Sequence, residues 1–224
     1  MPYVYHSPIL TVDIVIFEIL NNELQVLLVQ RASDPFKGEW ALPGAYNAAG
    51  STTVQALESR VLGPKAGLSP EDIPFIEQLY AFDTVARDPR GHAVSVTYMG
   101  LGSNLVPRVS ETTQNPTFYP VKDLWDLAFD HEDIVAYAHE RLRARITSTT
   151  AIFAMLPDEF TLTQLQSAYE AILGHALDKR NFRKKFLSFD TLEPTDNYFR
   201  DGAHRPALLY RFKEPKFEPL LREF

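Results

Sequence analysis

Phe182, Phe186 and Phe189 follow one another at intervals of four and three residues, beginning inside the stretch "DKRNFRKKF". Only a helix gathers that spacing onto one side. At 100° per residue, Phe186 and Phe189 lie within roughly 40° of Phe182, whereas Arg183, Arg180 and Lys184 fall at about 100°, 160° and 200°. One face is aromatic and the other cationic, with Lys179, Asn181 and Lys185 on the flanks. The fold must therefore offer a core to the phenylalanines and leave the cations turned outward. A charge run is commonly no more than a solvated face, so the segments on either side decide what this one is for.

Those segments describe a second helix and a hairpin. "FTLTQLQSAYEAILG" begins with Thr161 as N-cap and Gln164 three residues on for a capping box, with Phe160 and Leu165 placed as a hydrophobic staple. Gly174 supplies the stop, and Asp178 opens the basic helix. Beyond it, "LEPTDNYF" and "PALLYRF" read as strands joined through the turn dipeptide Asp201-Gly202, with Arg200, His204 and Arg205 at the tip. A helix, a tight turn, a basic helix and a β-wing make a winged helix-turn-helix. Arginine can pair bidentately with guanine and asparagine with adenine, while lysine mostly neutralises phosphate. Lys179, Arg180, Asn181, Arg183, Lys184, Lys185, Arg200, His204 and Arg205 are thus the candidate DNA-binding residues.

The rest of the chain differs in charge. The protein carries a net −7 over 224 residues, yet residues 1–150 hold 11 basic and 18 acidic side chains and residues 151–224 hold 11 of each. That split suggests two jobs. In the first part, "LTVDIVIFEIL" and "ELQVLLVQR" flank Asn21-Asn22, which is hairpin chemistry. Further strands are expected near Phe75 to Phe82 and Ala93 to Leu101, with helical character over Thr52 to Leu62. Ile134, Ala138, Leu142 and Ile146 share one face of a helix from Asp130 to Ile146, with Asp130 expected to cap it and "TSTT" at 147–150 to act as a linker. The domains expected are 1–147 and 148–224. The apolar run from Ile9 to Leu20 is broken by Asp13 and Glu18 and falls short of the ~20 residues that span a bilayer. With no cysteine and no signal-peptide pattern, a soluble cytoplasmic location and no membrane partner are expected.

The block from "LPDEFTLTQLQSAYEAILGHALDKRNFRKKF" through "RPALLYRF" resembles the winged-helix domain of the Nudix-related transcriptional regulators, the NrtR-like family that controls NAD metabolism genes. The resemblance implies a repressor binding double-stranded DNA at a palindromic operator as a homodimer. "GEWALPGAYNAAGSTTVQALESRVLGPKAGL", residues 38–68, resembles the approach to a Nudix box and the box itself, so the N-terminal part is expected to be a Nudix-like α/β/α sandwich with a mixed sheet and the whole chain α+β. In Nudix hydrolases the box glutamates gather Mg²⁺ on a pyrophosphate. Here, aligned on Gly67-Leu68, Arg60 takes the arginine's place but Val61, Pro64 and Lys65 stand where glutamates belong. Aligned on Gly44, the early glutamate position is Gly50 and the spacing to Gly67 is two residues too long. Lys65 puts a cation where a metal would bind, Glu58 points away, and Gly63-Pro64 should end the helix early. Glu39, Glu71, Asp72 or Glu77 are the conceivable substitute ligands. No enzyme activity, catalytic residue, metal or cofactor is expected.

A binding pocket without chemistry is what remains. "QLYAFDTVARDPRGHAVSVTYMGL" also resembles the NrtR-like family, and "RDPRG" sets Arg87 and Arg90 beside two strands. Arginine pairs suit a pyrophosphate, though a salt-bridged surface turn reads the same way. The resemblance implies an effector such as ADP-ribose or a related NAD product, with Arg31, Trp40, Phe82, Arg87, Asp88, Arg90 and His92 as candidate contacts. Ala45 in place of a glycine and the missing glutamates leave room for a sugar such as arabinose instead, and a pyrophosphohydrolase with unusual metal ligands is the other alternative. "FDHED" at 129–133 belongs to the same resemblance.

Overall fold

The computed structural model describes residues 7–109, 115–200 and 206–220. Strand β1 (Ile9–Leu20) is the spine of the N-terminal half. It turns through Asn21 and Asn22, both at positive φ, into β2 (Glu23–Gln30); asparagine tolerates that conformation better than most residues. Short strands β3 (Trp40–Ala41) and β4 (Gly44–Tyr46) follow, then β5 (Phe75–Phe82), β6 (Ala93–Leu101) and β7 (Thr117–Pro120). They form one mixed sheet in the order β3-β2-β1-β6-β5, with β4 also on β1 and β7 on β2. The β1–β6 pair is parallel and the others are antiparallel.

Successive side chains of β1 serve opposite layers, as a strand of period two requires. Val15 and Phe17 join a core shared with helix α2 (His131–Ser148), while Val12, Ile14 and Ile16 join a second core with Leu57, Val61 and Leu62. Helix α1 (Thr53–Ala56) starts on a capping box between Thr52 and Gln55 and continues as a π-helix over Leu57–Ala66. The sheet is thus covered on both faces, an α/β/α sandwich. Gly63-Pro64 does not end the helix, contrary to expectation. The wider coil takes Pro64 in its stride, and Gly67 closes the helix in the left-handed conformation, where a Cβ would meet the Arg108 carbonyl oxygen at 2.5 Å.

Two details at α2 differ from the sequence reading. Asp130 makes no side-chain cap; its carboxylate is taken by Arg87 instead. Thr147 and Ser148 are the last residues of the helix rather than linker, and Thr149 and Thr150 are buried. A short 3₁₀ turn (Ala151–Met155) then leads to β8 (Phe160–Thr161), α3 (Leu162–Leu173), α4 (Lys179–Leu187), β9 (Leu192–Phe199) and β10 (Ala207–Phe212). Strands β8, β10 and β9 form a small sheet in that order.

The hydrophobic core runs without a break from Val15 in the sheet through Ile146 in α2 to Phe186 in α4. Hydrogen bonds reinforce the joint: the buried Tyr169 hydroxyl donates to the Ile146 carbonyl at 2.9 Å, His139 Nε2 meets the Ile172 carbonyl at 2.7 Å, and Arg143 donates to the Leu173 carbonyl. After β10 the chain returns to the same place. Thr150 Oγ1 donates to the Lys216 carbonyl at 2.6 Å, the Leu220 amide donates to the Ser148 carbonyl at 2.8 Å, and Phe217 packs on Phe75 at 5.1 Å.

Candidate functional site

A cleft of about 240 Å³ opens at one end of the sheet, where β1, the end of β2, β4, the π-helix, the Arg87–Arg90 loop and the start of α2 converge. Its floor holds Asp13, 6% exposed, on β1. The Asp13 carboxylate accepts from the Ser95 hydroxyl and from Thr11 Oγ1 at 3.2 Å. Gly44 pairs with Asp13 across β1 and β4, and a Cβ at Gly44 would sit 1.7 Å from Asp13 Oδ1. Glycine is what allows the carboxylate to lie there.

Cations surround that acid. Arg31 donates to the Pro35 carbonyl at 2.7 Å and the Ser33 carbonyl at 3.2 Å, and its guanidinium stacks 4.6 Å from the Phe129 ring. Burial, then the Arg90 charge, lower its pKa. Arg90 is gripped by Asp88 through Nη2 at 2.6 Å and Nε at 2.9 Å, and lies over Tyr46 and Phe129. That bidentate bond with Arg90 holds the Asp88 carboxyl below its usual range. Arg87, 7% exposed, gives Nη2 to Asp130 at 2.7 Å and Nε at 2.9 Å. It therefore ties the cleft loop to the start of α2. His131, the first residue of α2, is buried and accepts from the Leu42 amide at Nδ1, 2.9 Å away. Burial lowers its pKa, so the ring is neutral with its proton on Nε2.

Of the candidate ligand contacts, Arg31, Arg87, Asp88 and Arg90 line this cleft and Trp40, Phe82 and His92 do not. Trp40 packs edge-on against Tyr119 at 4.9 Å, and Phe82 lies among Tyr80 and Tyr137. His92 is exposed, and its carbonyl accepts from the Ile9 amide. Asp13, Tyr46, Arg60, Lys65, Phe129 and His131 line the cleft without having been among the candidates. Signals for several of them were present: Asp13 interrupts an apolar strand, Lys65 replaces a box glutamate, and Phe129 and His131 belong to "FDHED".

The second surface is α4. Phe182, Phe186 and Phe189 are 3%, 2% and 8% exposed, packed around Tyr169 with ring centroids 5.4 Å from Phe182 and 5.6 Å from Phe186. Asp178 caps the helix by accepting from the Asn181 amide at 2.8 Å. Lys179, Arg180, Asn181, Lys184 and Lys185 are exposed along the other side, as is Arg200 at the end of β9. Arg183 is the exception to the outward reading: it is half-buried and donates to Thr163 Oγ1 at 3.0 Å, bracing α4 against the first turn of α3. His204 and Arg205 lie outside the described residues. Tyr198 and Phe199 are exposed at the end of β9, next to Arg200 in the sequence, and were not among the candidates.

Each surface lies in a segment that matches a known family. Residues 10–139 match the NUDIX domain family, and residues 152–212 match the NrtR DNA-binding winged helix domain. The chain is 38% identical over 213 residues to the ADPR responsive transcriptional repressor NtrR of Acinetobacter baylyi, covering 93% of this chain and 83% of that protein. The chain belongs to the NrtR family. Among solved structures, Shewanella oneidensis NrtR in complex with a 27mer DNA superposes with a TM-score of 0.81 at 33% identity, covering 96% of this chain and 99% of that one. The NUDIX domain of the same Shewanella protein with ADP ribose matches at TM-score 0.56 and 35% identity, over 63% of this chain and 93% of that one.

Within this NrtR-family chain the donor set does not fit a divalent metal. Val61 is fully buried in the second core, and Glu58 is exposed away from the cleft. The substitute acids lie elsewhere: Glu77 holds Arg145 at 2.9 Å, Asp72 caps the Ser69 amide at 2.7 Å, and Glu39 and Glu71 are exposed. Among the described residues no group of three or more His, Cys, Asp or Glu side chains could hold a metal ion. No helix there is long and apolar enough to cross a membrane.

Proposed function

We propose that this protein is a DNA-binding transcriptional repressor, acting as a cytoplasmic homodimer on a palindromic operator. Its Nudix half, residues 1–147, senses ADP-ribose or a related NAD metabolite, and its winged half, 148–224, reads the duplex. The observation that carries this is the inward phenylalanine trio, which leaves Lys179, Arg180, Asn181, Lys184 and Lys185 exposed on one face of α4. A basic face of that kind neutralises phosphates while arginine and asparagine reach base edges. ADP-ribose is the effector favoured here because the cleft sets five cationic side chains, Arg31, Arg60, Lys65, Arg87 and Arg90, against two carboxylates in a chain of net −7. That balance attracts a diphosphate and offers little to a neutral pentose. Hydrolysis has no support in the box, where Val61, Pro64 and Lys65 replace the acids a metal would need.

Helix α2 gives the effector a mechanical route to the duplex. Its first residue lines the cleft, Asp130 just before it clamps Arg87, and its later turns hold α3 through His139, Arg143 and Ile146. Eighteen residues at 1.5 Å rise make a rod of about 27 Å. A ligand that prefers one seating of Arg87 and His131 therefore biases the tilt of the recognition helices in the dimer. Without such a difference in affinity it would shift nothing.

Gel-shift on the gene's own upstream region, with and without ADP-ribose, NAD or pentoses, tests both halves. Binding that falls steeply with salt and is relieved by ADP-ribose is the expected result. Relief by arabinose alone would move the effector to the sugar class, and a salt-independent or single-strand preference would remove the repressor reading.

A further inference from the structure

Arg60 and Lys65 are five residues apart, and in an α-helix that interval turns about 140°. They would then face different ways. The box helix is instead a π-helix over Leu57–Ala66, whose wider i→i+5 closure returns residues five apart to the same side. Both side chains line the cleft. Inserted turns of this kind recur at functional sites.

These two cations differ from the others in the cleft in being uncommitted. Arg31 is held by two carbonyls, Arg87 by Asp130 and Arg90 by Asp88. Among the described residues the Arg60 and Lys65 side chains make no hydrogen bond or ion pair, and Arg60 is exposed while Lys65 is half-buried. The two carboxylates in the cleft are by contrast engaged, Asp13 by Ser95 and Thr11 and Asp88 by Arg90. The side of the cleft that in a Nudix hydrolase would bring metal-bound positive charge to a pyrophosphate here brings it on side chains.

We propose that Arg60 and Lys65 replace the divalent metal, binding the effector's diphosphate oxygens directly, so that recognition needs no Mg²⁺. The inference rests on the reading that the cleft takes an ADP-ribose-like ligand. N–H donors supply the charge that a metal would, but they do not generate a hydroxide on the phosphorus. The effector is therefore held and released intact, which is what a reversible sensor requires. Specificity follows from the same pair, since two cations reward two linked phosphates over one.

Isothermal titration calorimetry of the full chain with ADP-ribose, in EDTA and then in millimolar Mg²⁺, tests this directly, with AMP as the single-phosphate comparison. The expected Kd for ADP-ribose is the same in both buffers within about twofold, and AMP binds far more weakly. Lys65→Glu and Arg60→Gln should each weaken ADP-ribose about tenfold to a hundredfold, the scale of a lost charge-assisted hydrogen bond. Melting temperatures of both variants check that the fold survives. Binding that appears only with Mg²⁺, or folded variants that bind ADP-ribose as the parent does, overturns the proposal while leaving the effector assignment standing. No binding of ADP-ribose in either buffer removes the effector assignment and this proposal with it.

Discussion

Tyr169 offers a measurement of how firmly the two halves are joined. Its ring is fully buried between Phe182 and Phe186, and its hydroxyl donates to the Ile146 carbonyl at 2.9 Å, across the boundary between α3 and α2. Burial drives the phenol's pKa upward, so it remains a neutral donor across the working pH range. Tyr169→Phe keeps the ring packing and removes this bond. The Ile146 carbonyl has no helical replacement, because the Thr150 amide that would reach it donates to the Glu218 carbonyl instead. Leaving a buried acceptor without its donor costs about 1–3 kcal/mol. For a chain of this size each kcal/mol lowers Tm by about 2–4 °C, so the expected loss is about 2–12 °C. The assay is urea and thermal denaturation of parent and variant, followed both by far-UV circular dichroism and by tryptophan fluorescence. Trp40 and Trp125 are the two tryptophans and both lie in the Nudix half, so the second probe reports on that half alone. If the core is continuous, both probes shift together. A change below about 0.5 kcal/mol, or a shift seen by dichroism while the tryptophan transition stays put, would refute the claim that this contact couples the halves.

Arg180→Ala should weaken operator binding by about 1–3 kcal/mol with relaxed specificity and no change in Tm, measured by fluorescence anisotropy on a set of single-base operator variants. Arg183→Ala, by contrast, should lower Tm as well, since its guanidinium braces Thr163; equal behaviour of the two would contradict their different placement. His131 is held neutral by burial, below its ordinary value near 6.5. The folded chain then binds fewer protons than the unfolded one, so this stability is present above that value and fades as pH falls. Urea midpoints at pH 7.5 and 5.5 should diverge less in His131→Gln than in the parent. Glu18, raised by burial, acts in the opposite sense, so the difference between the proteins is the informative quantity. Gly44→Ala drives a methyl into Asp13 Oδ1, and overpacking of that kind costs about 1–3 kcal/mol; a normal Tm with normal effector binding would show that Asp13 has room to move.

How far these features could be read from the sequence depends on whether the deciding physics was local. Thr161 with Gln164, Gly174 at the helix end and the Asn21-Asn22 turn are short-range signals, and each appears where the pattern placed it. The phenylalanine trio was legible for the same reason, since its period alone fixes its face. The cleft was legible only in part. Arg87 and Arg90 sit in a loop that looks anionic-ligand-ready, but Arg87 is taken by Asp130, a partner 43 residues away that no local pattern reveals. Trp40 and Phe82 are aromatics whose packing partners, Tyr119 and Tyr137, come from distant elements. Arg60 and Lys65 line one cleft because a helix changes its pitch, and Gly63-Pro64 suggests a break there rather than a wider turn.

The segment that follows β10 doubles back to staple the foot of α2. Residues 216–220 give Thr149 a bridging partner in Pro219, supply the carbonyl that Thr150 binds, and lay Phe217 under Arg145 at 5.7 Å and against Phe75. Residues 216–220 thus act as a splint over the junction where α2 gives way to the 3₁₀ turn. Trimming them is expected to leave the α4 cations and the cleft arginines in place while loosening that junction, so that ADP-ribose still binds in calorimetry but no longer relieves the gel-shift.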